Sequence, residues 1–155
     1  MKNFTSKMDK KTGLMTTSFV VFAVAVPFVM YKLGAPRVSL FMVSLIMALA
    51  FITSYMMIPQ LFLNDKTIVI KNNFVNIKIP FGDINTIEEN PKIGLNIRTM
   101  GVGGLFGHFG YFNGNDVWYV TNIHNKVKIT MKSGKIYMIS PENPEEFIKI
   151  VKNFS

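Results

Sequence analysis

"KVKITMKSGKIYMISPENPEEFIKIVKNF" occupies residues 126–154 and sets the architecture of the whole second half of the chain. Residues 126–132 and 135–140 are short β-type runs, and in the first of them Lys126 and Lys128 alternate with Val127, Ile129 and Met131. Ser133 and Gly134 between them are a tight-turn signal, so the two runs read as a hairpin. After residue 140 the period changes from two to 3.6. Phe147, Ile150, Val151 and Phe154 then fall on one helix face. Asn143 stands at the N-cap position, Pro144 at the first helical position, and Glu146 three residues after the cap, as a capping box requires. Lys149 and Lys152 lie towards the C-terminal end, where the helix dipole favours cations.

Working back from this hairpin and helix, further short runs rich in branched residues appear at 67–71, 74–80, 83–89, 95–100 and 116–122. Lys71, Asn72 and Asn73 supply a turn between the first two. In the run 74–80, Val75, Ile77 and Ile79 alternate with Asn76 and Lys78, which gives one apolar face. The expectation is about seven strands followed by one amphipathic helix, in a unit that folds by itself from about residue 64.

The first 64 residues are of another kind. Thr12 to Tyr31 carries no charge and, as a helix, reaches roughly 30 Å, the thickness of a bilayer's hydrocarbon core. Val38 to Asn64 is a second uncharged run, longer than a span needs. Pro59 suits its end, because it lacks an amide hydrogen and disfavours helix at the residue before it. Leu61 and Phe62 are then expected at the bilayer interface. Two transmembrane helices at about 13–32 and 38–59 follow, joined by the short "KLGAPRV" into an antiparallel hairpin. A signal peptide is a poorer fit, because the first run is long, no small-x-small cleavage site follows it, and a second span comes at once. The division is a basic tail at 1–11, a hairpin at 12–61 and a domain at 62–155. No ionisable group other than Tyr55 lies inside a span, which argues against an ion or proton path built from the hairpin.

The chain has 155 residues, 49% of them hydrophobic and only 17% charged, and no cysteine, so disulfides and thiolate metal sites are excluded. Lys2, Lys7, Lys10 and Lys11 against Asp9, with Lys32 and Arg37, carry about five of the net eight positive charges. The rest is only mildly basic, so no nucleic-acid partner is expected. The tail cations outnumber those of the connection, which places both chain ends in the cytoplasm.

"GVGGLFGHFGYF" (101–112), "VWYVTN" (117–122) and the quoted segment, above all Ser140 to Phe147, together resemble the bacterial pleckstrin-homology-like families. The resemblance covers about residues 62–153. It implies an α+β membrane protein: a two-helix transmembrane hairpin, then a seven-stranded, partly closed β-barrel or sandwich capped by a C-terminal helix. It also implies a bacterial cytoplasmic membrane and a domain without catalysis.

The glycine segment is not a nucleotide cradle. It has no Lys and no helix behind it, and Phe106 breaks the G-x-G-x-x-G spacing. Two readings stay open. Leu105, Phe106, Phe109, Tyr111 and Phe112 face a membrane or partner, or they form a bent strand whose aromatics alternate into the core. Lys126 and Lys128 meet anionic lipid or form a solvated strand face. The first hairpin offers Lys71 and Lys78 without a K-x-n-R cluster, so specific phosphoinositide binding is not expected. His108 and His124 have no neighbouring His and few acids, so no metal is expected. Glu88 and Glu89 are adjacent and point to opposite faces of a strand. No nucleophile and base stand together, so no cofactor, no small-molecule substrate and no catalysis are expected. The functional expectation is a membrane-anchored, non-enzymatic domain that binds membrane lipids, a protein partner or its own copies at the cytoplasmic face. Self-immunity against a membrane-active bacteriocin is the alternative.

Overall fold

The computed structural model describes residues 1–90 and 97–153. Leu95 and Asn96 of the expected strand 95–100, and Phe154 of the expected helix face, lie outside them. The chain opens with a two-residue strand, β1 (Lys2–Asn3), and then forms two helices, α1 (Lys10–Lys32) and α2 (Arg37–Met56). At 1.5 Å per residue these helices are about 35 Å and 30 Å long. They pack on each other, but most of their apolar side chains, Phe22, Phe28, Phe41 and Ile46 among them, remain exposed. Only Thr12, Thr16 and Ser54 are buried within them. Both are long and apolar enough to cross a membrane.

Nine more strands form the domain. β2 (Gln60–Asn64), β3 (Thr67–Lys71) and β4 (Asn76–Pro80) join β1 in a four-stranded antiparallel sheet of order β1-β2-β3-β4. Leu61 pairs with Ile70, Leu63 with Ile68, and Ile68 with Ile79. Because side chains alternate across a strand, this register sends all five to one face. The second sheet contains β5 (Ile84–Glu89), β6 (Arg98–Gly103), β7 (His108–Phe112), β8 (Asp116–Val120), β9 (Val127–Met131) and β10 (Ile136–Ile139). Its order is β5-β9-β10-β8-β7-β6, antiparallel except between β10 and β8. Ile87, Phe109, Tyr119, Val127, Ile129 and Ile139 meet the first sheet's apolar face in one core. Helix α3 (Pro144–Asn153) adds Phe147 and Val151, both fully buried.

The expected α+β arrangement is therefore present, with three corrections. There are ten strands among the described residues rather than seven, and of the two forms expected, a partly closed barrel or a sandwich, they take the second: two sheets over a shared core that do not close into a barrel. Leu61 is not at a bilayer interface: it is 4% exposed inside the domain, because "QLFLN" is a strand fused to the end of the apolar run. The first nine residues are not a free tail. Phe4 is buried, its ring edge-to-face with Phe147 at 5.3 Å, and its N–H donates to the Leu61 carbonyl. Lys2 pairs with Glu146, and Thr5 bridges to Pro141. A domain cut at residue 64 would lose β1, Phe4 and β2. The cap of α3 matches its sequence grammar, with Asn143 Oδ1 accepting the Glu146 N–H at 3.2 Å.

Candidate functional site

The glycine segment becomes the β6–β7 ribbon. Gly101 and Gly110 face each other, at φ +129° and +122°. A side chain at Gly101 would collide with the Phe109 carbonyl, and one at Gly110 with the Met100 carbonyl. Glycine is thus required where the two backbones press together. The same ribbon ends in a tight loop, closed by the Gly104 N–H on the Gly107 carbonyl at 2.9 Å.

That loop docks on the helical hairpin. Gly104 lies against the Met15 side chain of α1. The Phe106 N–H donates to Thr16 Oγ1 at 3.0 Å, and Thr16 Oγ1 donates in turn to the Thr12 carbonyl at 2.9 Å. The Phe106 ring sits edge-on to Phe51 at 5.1 Å and to Tyr55 at 5.5 Å, both on α2. Phe106 holds φ +58°, a left-handed conformation that costs a non-glycine residue about 1–2 kcal/mol. Burial of the ring to 7% exposure offsets that cost.

Two further contacts fix the domain to the helices. Asn72, in the β3–β4 turn, donates through Nδ2 to the Met57 carbonyl at 2.9 Å, and the Asn73 N–H reaches the Met56 carbonyl. Together they satisfy carbonyls that the end of α2 leaves open. Asp9 caps α1, accepting from the Thr12 N–H at 2.9 Å and its hydroxyl at 3.0 Å, and it also accepts the Ile123 N–H at 3.0 Å. Burial alone would raise the Asp9 pKa, but hydrogen bonds from Ile123, Thr12 and the Lys11 backbone outweigh it and hold the carboxyl below its ordinary range.

The residues expected in a contact surface are divided by the fold. Leu105 is half-buried against the main core, and Phe109 is fully buried within it. Phe112 points to the other side of the sheet and stacks on Trp118 at 4.5 Å, in a second cluster with Val120, Ile123 and Met138. Among these aromatics only Tyr111 is well exposed, at 40%. Lys126 is buried with Nζ 5.4 Å from the Trp118 ring centroid, and burial lowers its pKa. Lys128 is half-exposed and lies 3.7 Å from Glu88 on the neighbouring strand. The seven do not form one surface.

The ribbon does bring together two residues that were not expected as partners. Arg98 Nη1 and His108 Nδ1 lie 3.0 Å and 3.5 Å from the point where a Gly103 side chain would begin. His108 is half-buried, and burial holds its pKa below the ordinary value. The charges of Lys11, Lys126 and Arg98 act in the same sense, and Asp9 opposes them. The sequence signal for this pair is a polar residue, His108, interrupting an otherwise Gly-aromatic run. Among the described residues no group of three or more His, Asp or Glu side chains could hold a metal ion.

Two apolar helices of membrane-spanning length, carrying a two-sheet domain closed by a C-terminal helix, define a hairpin-borne pleckstrin-homology-like module. The family model described as "Bacterial PH domain" matches residues 59–154. The chain belongs to that family, and the match begins at Pro59, three residues past the end of α2 and just before β2. No curated protein matches the chain. No solved structure matches it either.

Proposed function

We propose that this chain is a membrane-anchored, non-enzymatic reader, whose domain binds a lipid surface or a protein lying against it on the cytoplasmic side. The observation that carries this reading is the seat of Phe106 between Phe51 and Tyr55, with its N–H on Thr16. Thr16 lies about 9 Å from the start of α1 and Phe51 about 7.5 Å from the end of α2, by the rise per residue. With both helices across a bilayer, the loop tip sits within about two helical turns of their domain-side ends and the domain lies on the lipid. A domain on a flexible linker would search a volume; this one presents a fixed base. Lys10 and Lys11 lie in the first turn of α1, and Lys71 pairs with Gln60 just past the end of α2, which suits an anionic cytoplasmic leaflet. Nothing among the described residues favours the immunity reading over this one.

The test is the full chain in nanodiscs of zwitterionic lipid, compared with nanodiscs containing an anionic phospholipid. Hydrogen exchange in residues 98–112 should slow when the anionic lipid is present. Equal exchange in both would remove the lipid surface and leave the protein partner. A cytoplasm-dependent reporter should work at either end of the chain and fail at Gly34; the opposite pattern would invert the topology.

A further inference from the structure

The geometry points to a binding site for the phosphate of an anionic lipid headgroup at the notch beside Gly103, where Arg98 and His108 converge near Lys11. It rests on the membrane reading above and adds the residues that would make it selective.

An extended strand would carry Arg98 about 16 Å from Gly103. Here a register shift between Arg98 and Met100, and Gly101 at φ +129°, curl the strand. The guanidinium therefore returns to the Gly103 backbone, where it meets the His108 ring coming from β7. Because residue 103 has no side chain, both groups close on its backbone, Arg98 Nη1 from the exposed side and His108 Nδ1 from β7. Among the described residues Arg98 has no acidic partner: the ion pairs there are Lys2 with Glu146 and Lys128 with Glu88. The carboxylate that acts on His108, Asp9, is already engaged by three donors from Thr12 and Ile123. An exposed guanidinium without an acid, beside an imidazole and under the field of a lysine, is suited to a phosphate, whose oxygens match its fork of donors.

Position selects the source of that phosphate. Gly104, the next residue, touches Met15, and Lys11 stands in the first turn of α1. The notch thus lies at the level where the hairpin enters the bilayer. The β3–β4 turn offers no rival site, because Asn72 and Asn73 are occupied in capping α2.

The experiment uses the full chain in nanodiscs of phosphatidylcholine with a minor fraction of phosphatidylglycerol. Native mass spectrometry reads the phosphatidylglycerol retained by the protein. Arg98→Ala should reduce retention about tenfold, as expected for loss of a charge-assisted hydrogen bond. Lys11→Ala, at an exposed position, should reduce it in the same direction, and Arg98→Lys should restore part of it. Lys128→Ala, which removes an equal charge already paired to Glu88, should leave retention unchanged. If Arg98→Ala disturbs folding, seen as faster exchange in β8 to β10, Lys11→Ala decides the question. Loss as large with Lys128→Ala would mean diffuse attraction and overturn the site, leaving the membrane reading intact. No preference for phosphatidylglycerol in the unaltered protein would overturn the lipid-surface reading and the site with it. Displacement of the lipid by millimolar inorganic phosphate would assign the notch to free phosphate and overturn the lipid assignment.

Discussion

Replacing Phe106 by Ala should undock the domain from the helices while its two sheets stay folded. The ring is 7% exposed and makes edge-to-face pairs with Phe51 at 5.1 Å and Tyr55 at 5.5 Å. Burying a phenylalanine side chain contributes about 1.5–3 kcal/mol, and each aromatic pair adds about 0.5–1.5 kcal/mol. Alanine has a β-carbon as well, so the strain at φ +58° is not relieved. The loss should be about 3–5 kcal/mol, the usual range for Phe→Ala in a packed site. Taking 3 kcal/mol, the undocked population rises about 150-fold. Hydrogen exchange in nanodiscs measures it directly. Peptides covering 103–108 and 12–17 should exchange about two orders of magnitude faster by the same conversion. Peptides covering β8 to β10 should keep their protection, because their inner residues pack on the opposite sheet and α3. Equal acceleration throughout would mean that Phe106 holds the domain core. No acceleration anywhere would refute the docking contact.

The packing of α3 and the capping by Asp9 can be tested in the same chain. Phe147→Ala should lower the stability of the full chain by about 3–5 kcal/mol in a thermal melt, since the ring is fully buried against Phe4; a loss under about 1 kcal/mol would remove α3 from the core. Asp9 has a depressed folded pKa, so its stabilisation is complete above its ordinary value of 3.8 and disappears as pH falls through the lower folded value. Denaturation of the full chain should therefore steepen below about pH 4, and Asp9→Asn should flatten that slope; an unchanged slope would contradict the role given to Asp9.

How far the sequence could be read depended on whether a segment's partners were near in the chain. The hairpin at 127–139 and helix α3 carry their own instructions, in alternation, a Ser-Gly turn and an Asn-Pro cap, and both form as expected. Strand β2 was hidden because Leu61 and Leu63 extend an apolar run already explained by the helix before it. The N-terminal strap was hidden because "KNFTSKMDK" has the composition of a basic tail. Its role appears only when Phe4 meets Phe147, some 140 residues away, and Asp9 meets Ile123. Phe106 was legible as an aromatic in a glycine loop. Its partner was not, because the contact depends on a left-handed residue and on helices that local periodicity cannot bring to it. Arg98 and His108 converge only because β6 curls at a bulge, and a bulge leaves no period to count.

Docked through Phe106, Asn72 and Asp9, the domain should move with the helical hairpin as one body. The chain has no cysteine, so spin labels at Leu33→Cys, on the exposed turn between the helices, and at Lys135→Cys, on the exposed β9–β10 turn, would be the only ones present. Electron–electron distance measurement on the full chain in nanodiscs should give one narrow distribution, and Phe106→Ala should broaden it. A broad distribution in the otherwise unaltered chain would contradict a docked domain.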